Sequence, residues 1–247
     1  MKGAKPAGGG DLGGDTIDSQ STGRISMRTK PVFIALAMLV LWPLAAFADD
    51  SDEFTIKVDP FHFGLGCLAT WERDAGKPGQ KDDSQQFGLY LQKNTATANF
   101  AAAGVRNMLR TPIPATSLQT LAFVISGFPG EPTFGVANGY CGAGSPRFNV
   151  TSTGTSSTCF LGCFHARKTQ DPVTGWWEIK FIAPFTQFPG CENGVSGDVT
   201  SISIVFDEGN DLALSGSPGP VGNSPGNVVI DNIRVNNKVV GKPTDDD

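Results

Sequence analysis

Three of the five cysteines fall in one stretch, "CGAGSPRFNVTSTGTSSTCFLGC" from Cys141 to Cys163, and the other two stand apart at Cys67 and Cys191. Two chemistries use cysteine at such density: zinc ligation and disulfide bonding. Zinc is disfavoured because there is no CxxC pair and His165, two residues after Cys163, is one of only two histidines, the other being His62, with neither spacing matching a structural zinc site. Cys159 and Cys163 are four residues apart on one extended run, roughly 13 Å at strand rise, which is beyond disulfide reach. They therefore take different partners. Cys141 precedes one strand and Cys163 ends the next, so antiparallel pairing brings them to the same end. The expected bonds are Cys141 with Cys163 and Cys159 with Cys191, leaving Cys67 as the odd thiol.

Oxygen ligands gather in "DEGNDL". Asp207, Glu208, Asn210 and Asp211 offer hard donors around Gly209, a set suited to a structural calcium ion, with Asp231 as a further ligand if its strand passes nearby. The plain alternative is a polar turn in which Asp caps backbone amides. Asp231 is in phase with Val229 and Ile233, so it reads equally as a buried carboxylate satisfied by Arg147 or by backbone donors.

Sugar recognition asks for a flat exposed aromatic flanked by planar hydrogen-bonding side chains. Trp176, on the outer face of its strand with Glu178 and Lys180, is the first candidate, with Arg147 and Asn149 on the outer face of a neighbouring strand. Tyr140 and Trp71 are others. Against this, one of two adjacent tryptophans often packs under a loop, and Arg147 serves as well as a structural ion-pair partner. Asn149-Val150-Thr151 has the form of a glycan sequon, relevant only in a eukaryotic secretory route.

Catalysis lacks its parts. No GxSxG elbow accompanies the two histidines. Glu178 is alone on its strand, without the alternating acids that line a sandwich glucanase cleft. The expectation is a protein that is not an enzyme and has no catalytic residues.

These residues need a compartment and a scaffold. From Met27 the chain reads "MRTKPVFIALAMLVLWPLAAFADD": two basic residues, an uncharged run from Pro31 to Ala48, and Ala46-Phe47-Ala48, the three regions of a secretory signal. Residues 27–48 are read as that signal, a retained membrane anchor being the rival. Residues 1–26, Gly-rich and polar, form a disordered or mis-assigned extension. Cleavage removes five of the 19 basic and three of the 24 acidic residues, leaving 199 residues at about −7. Such a chain is a poor partner for nucleic acid or an anionic membrane. It is expected to be secreted, extracellular or periplasmic, where disulfides persist.

Glycine and proline punctuate short β-branched and aromatic runs, the signature of an antiparallel all-β protein. Eight strands are expected, at 54–58, 87–93, 118–126, 147–152, 158–164, 176–182, 201–206 and 227–235. "TANFAAAGVRNML" is ambiguous between helix and strand. Alternation turns Ile202, Ile204 and Phe206 to the core, and likewise Trp177, Ile179 and Phe181. The fold class is an antiparallel two-sheet β-sandwich, jelly-roll-like and disulfide-stapled, over residues 49–240, followed by a solvated acidic tail at 241–247.

The wording "FGLYLQKNTATANFAAAG", then "CGAGSPRFNV" and "FLGC", resembles a group of uncharacterised exported bacterial proteins. The resemblance runs from about Trp71 to the strand "VVIDNIRVNN" and implies export rather than an activity. More loosely, "VVIDNIRV" is similar to the closing strand of jelly-roll carbohydrate-binding modules, which supports the sandwich. Two function classes follow. One is a non-catalytic module binding extracellular polysaccharide or another polymer. The other is a structural or interaction protein of the envelope or matrix that pairs through a flat sheet or through Cys67.

Overall fold

The computed structural model describes residues 54–64, 66–80, 83, 85–93, 101–126, 140–141, 144–207 and 226–243. The expectations for the extension at 1–26, the signal at 27–48 and the last four residues of the tail lie outside these residues. The described residues belong to one compact unit, Asp49–Asp247, and are built from strands joined by turns and three short 3-10 segments. Among them, no helix is long and apolar enough to cross a membrane.

The chain is an antiparallel two-sheet β-sandwich. Its strands are β1 (Pro60–Phe63), β2 (Leu68–Glu72), β3 (Gly88–Lys93), β4 (Ala102–Val105), β5 (Ile113–Pro114), β6 (Thr120–Ser126), β7 (Arg147–Ser152), β8 (Cys159–Gly162), β9 (Arg167–Gln170), β10 (Trp177–Ile182), β11 (Asp198–Phe206), β12 (Gly226–Val235) and β13 (Lys238–Val240). One sheet has six strands in the order β1-β4-β11-β7-β8, with β5 also on β11. The other has seven, β2-β3-β12-β6-β10-β9, with β13 also on β12. Consecutive stretches of chain pass between the sheets, as in jelly rolls.

Period-two alternation buries one face of each sheet against the other. Ile202, Ile204 and Phe206 are at most 1% exposed, and Ile179 and Phe181 are fully buried, with Trp177 packed beside them. Phe148 of the six-stranded sheet contacts two rings of the opposite sheet, Phe123 at 5.3 Å and Phe181 at 6.0 Å between centroids. The strand expected at 54–58 contributes only an isolated bridge from Ile56 to Leu109. The ambiguous "TANFAAAGVRNML" provides β4, a strand. The outward face of β4 is crowded, since a Cβ on Gly104 would lie 2.0 Å from the Ile204 carbonyl oxygen.

Alternation breaks in β12, as it also does in β11 between Val199 and Ser201. Val228 and Ile230 face the core while Val229 joins a small outer cluster. The register against β6 then shifts between Asp231 and Arg234, and Asn232 adopts a left-handed backbone, φ 48°, which asparagine tolerates better than most residues. The bulge corrects the expected phasing: Asp231 shares an outward face with Val229, but Ile233 faces the core with Val235.

The disulfides join Cys141 to Cys163 and Cys159 to Cys191, with Cα separations of 5.2 and 4.3 Å. This pairing coincides with the one expected from the strand directions. β7 and β8 pair with Arg147 opposite Gly162, so Cys141 and Cys163 meet where that hairpin opens. Cys67 belongs to neither of these disulfides and is buried, 8% exposed. Opening Cys159–Cys191, which spans 32 residues, with a Cys159→Ser/Cys191→Ser double variant is expected to lower the unfolding free energy by about 3–4 kcal/mol. Urea denaturation of variant and wild type checks this.

Candidate functional site

The residues proposed from sequence as one sugar platform lie on different parts of the sandwich. Arg147 and Asn149 are on β7 in the six-stranded sheet, whereas Trp176 stands at the start of β10 in the seven-stranded sheet. Trp176 is on the outer face, as expected, but it is only 6% exposed, packed with Val124 and Val229 against Ala75 and Tyr90. It is therefore not an open stacking platform. Tyr140 is buried in the main core beside Cys141, and Trp71 packs half-buried against the same core from β2. Asn149 is half-buried with its side-chain oxygen enclosed, a poor geometry for a glycan acceptor.

Of the acidic loop, only Asp207 lies within the described residues. Both carboxylate oxygens of Asp207 accept from the Arg147 guanidinium, at 2.6 and 2.7 Å, while its carbonyl accepts from the buried Lys93 ammonium at 2.7 Å. Arg147 is thus a structural ion-pair partner, and its guanidinium also covers the Phe160 ring at 5.8 Å. Glu208, Asn210 and Asp211 lie outside the described residues. Among the described residues, no three His, Cys, Asp or Glu side chains converge as metal ligands.

Asp231 does not pair with Arg147, which is held by Asp207. The Asp231 carboxylate, with no exposed surface, takes the backbone N–H of Lys77 at 2.9 Å, the side-chain amide of Gln80 and the backbone N–H of Asn232. Lys77 and Gln80 belong to the segment 73–80, which follows β2 and crosses the outer face of the seven-stranded sheet. Gly88 permits that approach: a Cβ there would lie 2.5 Å from the Val229 side chain and 2.8 Å from the Ala75 backbone. Lys77 is fastened a second time, its ammonium 3.0 Å from Asp171 in the turn between β9 and β10.

Between this segment and the β9–β10 hairpin lies a cleft of about 300 Å³, the lower end of the range for small-ligand sites. Ala122 and Val124 of β6 form its floor, and Trp176 and Glu178 one wall. Lys77 stands opposite, and Asn232 and Arg234 close the end. Thr169, Gln170 and Asp171 complete the hairpin side. The Lys77 ammonium, with the N–H groups of Val173 and Thr174, holds the Asp171 carboxyl well below the usual carboxylate range. Glu178 reaches Arg234 at only 3.9 Å with both side chains more than a third exposed, a loose pair worth little to stability. The cleft offers carboxylate, amide, hydroxyl and guanidinium groups beside an indole.

Comparison of the chain with protein-family models, curated proteins and solved structures yields no match. Strand alternation alone puts Trp176, Glu178 and Lys180 together on an outer face. Lys77 and Asp171 carry no such signal in the sequence, and Arg234 carries only its outward phase within "VVIDNIRV".

Burial raises the Asp231 carboxyl to about 6 from 3.8, against the pull of its three donors. The folded value exceeds the unfolded one, so the proton favours the folded state. That stabilisation is complete below about pH 4 and lost as pH rises through about 6, a change of about 3 kcal/mol. Asp231→Asn is expected to remove this component whatever constant offset the amide adds. Urea unfolding of both proteins from pH 4 to pH 7.5 measures the difference, which should change by about 3 kcal/mol across the window.

Proposed function

We propose that the chain is an exported, non-catalytic binding module whose outer cleft takes a segment of extracellular polysaccharide. The observation that carries this reading is the cleft over β6, walled by planar polar side chains and the Trp176 indole. A sugar hydroxyl is donor and acceptor at once, and carboxylate, amide and guanidinium groups set side by side match it. The carboxylates favour binding over hydrolysis. Asp171 is held ionised by Lys77 and its turn amides, and Asp231 is sealed beneath the segment 73–80, so neither serves as an acid against a substrate. Two disulfides agree with export. The resemblance of "VVIDNIRV" to the closing strand of carbohydrate-binding modules points the same way.

One observation favours the other class, a structural or interaction protein of the envelope or matrix. Among the described residues, β9 pairs only with β10 and is exposed at all four residues, an edge of the kind that takes a further strand.

Thermal melts against a panel of polysaccharides separate the two. A polymer bound only by the folded state at a hundredfold its dissociation constant adds about 2.7 kcal/mol, or about 5–10 °C in midpoint. Thr169→Trp, at an exposed edge position beside the cleft, is expected to abolish that shift while moving the unliganded midpoint by no more than about 2 °C. Absence of a shift with every polymer, together with concentration-dependent association of the chain, would overturn the binding reading in favour of the interaction protein.

A further inference from the structure

A cationic row, unusual for an acidic protein, runs along the same sheet face beside the cleft and meets it at Ala122 and Arg234. Strand register sets Arg167 of β9 opposite Lys180 of β10, Lys180 opposite Ala122 of β6, and Ala122 opposite Arg234 of β12. Directly opposed residues share a face, so three cations stand in one row across four strands, on the side that carries Trp176 and Glu178. Ala122 is a buried methyl, and it leaves a trough between the longer side chains of Lys180 and Arg234.

Counter-charge along this row is scant. Glu178 lies in the next row and reaches Arg234 only at 3.9 Å. Asp171 is committed to Lys77, and Asp231 lies buried under its own donors. Among the described residues, neither Arg167 nor Lys180 has an ion-pair partner. Lys168, the other cation of β9, is tied to the Phe164 carbonyl and ring. Like charges directly opposed on neighbouring strands repel, so the Arg167–Lys180 pair is unfavourable in the free protein and relieved when an anion lies over it.

We propose that this row is the subsite for the acidic groups of an anionic polysaccharide, which deepens the binding reading above and rests on it. At strand spacing, Arg167 and Arg234 are separated by about 14 Å. One small anion cannot bridge that distance, whereas a polymer with repeated acidic groups can engage both ends while its rings continue toward Trp176. Carboxylate and sulfate satisfy the same chemistry, since guanidinium groups bind both through paired N–H donors.

The test is calorimetric titration of the oxidised full chain with dextran, polygalacturonate and dextran sulfate of matched length. The expected result is binding of one or both anionic polymers, weakened by salt, with dextran at least about tenfold weaker. Whichever anionic arm binds identifies carboxylate or sulfate as the natural group. Arg167→Glu/Lys180→Glu should reduce anionic binding at least about tenfold, and Lys180→Gln by less, with melting midpoints confirming that both variants fold. Arg106→Glu on the six-stranded sheet should leave binding unchanged. Equal affinity for dextran and the anionic polymers would overturn this inference and keep the binding module. Anionic binding indifferent to the double variant, or equally reduced by Arg106→Glu, would also overturn it. No binding of any polymer would overturn both readings.

Discussion

A single buried carboxylate organises the outer face of the seven-stranded sheet. Asp231 has no exposed surface and draws its donors from both sides of a gap in sequence: Asn232 next to it, and Lys77 and Gln80 more than 150 residues earlier. An unpartnered carboxylate there would be prohibitive, so the segment 73–80 must lie where its amides meet it. That placement covers Trp176 and Val229, aligns Lys77 with Asp171, and raises the wall that makes an open sheet face into a cleft. The bulge at Asn232 is the backbone device that makes this possible: it lets Asp231 point outward while Ile233 and Val235 return to the core.

The opposite sheet uses the same logic for another purpose. Asp207, just beyond β11, is held by Arg147 through its carboxylate and by Lys93 through its carbonyl. Lys93 ends β3 in the seven-stranded sheet, so this cluster ties the two layers at one end of the sandwich. Both disulfides involve the β7–β8 hairpin and its flanks. The six-stranded sheet is therefore the stapled side, and the seven-stranded sheet carries the recessed polar surface.

What the sequence disclosed follows from which forces are local. Alternation in "SISIVF" and "WWEIKFI" identified the inner residues because a half-buried strand repeats every two positions. The cysteine pairing was legible because strand rise separates Cys159 from Cys163. β9 escaped notice because "RKTQ" has neither apolar alternation nor β-branched enrichment beyond Thr169; it is a strand because β10 supplies its hydrogen bonds. The phase of Ile233 was misread because one left-handed residue resets the alternation and Asn232 does not announce it. The exposure of Trp176 and the partner of Arg147 depended on which distant segment arrives to cover or neutralise them. Local patterning carries no record of that, so the candidate cleft became visible only in three dimensions.

The central claim is that the ligand face is the outer surface of the seven-stranded sheet, built by the Asp231 tie. Backbone amide shift mapping by NMR during titration with polygalacturonate tests it most directly. The account expects the perturbed amides to concentrate in β9, β10 and the end of β12, with Lys77 and its neighbours, while the six-stranded sheet stays still. Perturbations centred on the six-stranded sheet around Phe61, Arg106 and Phe160, or none at saturating polymer, would contradict it.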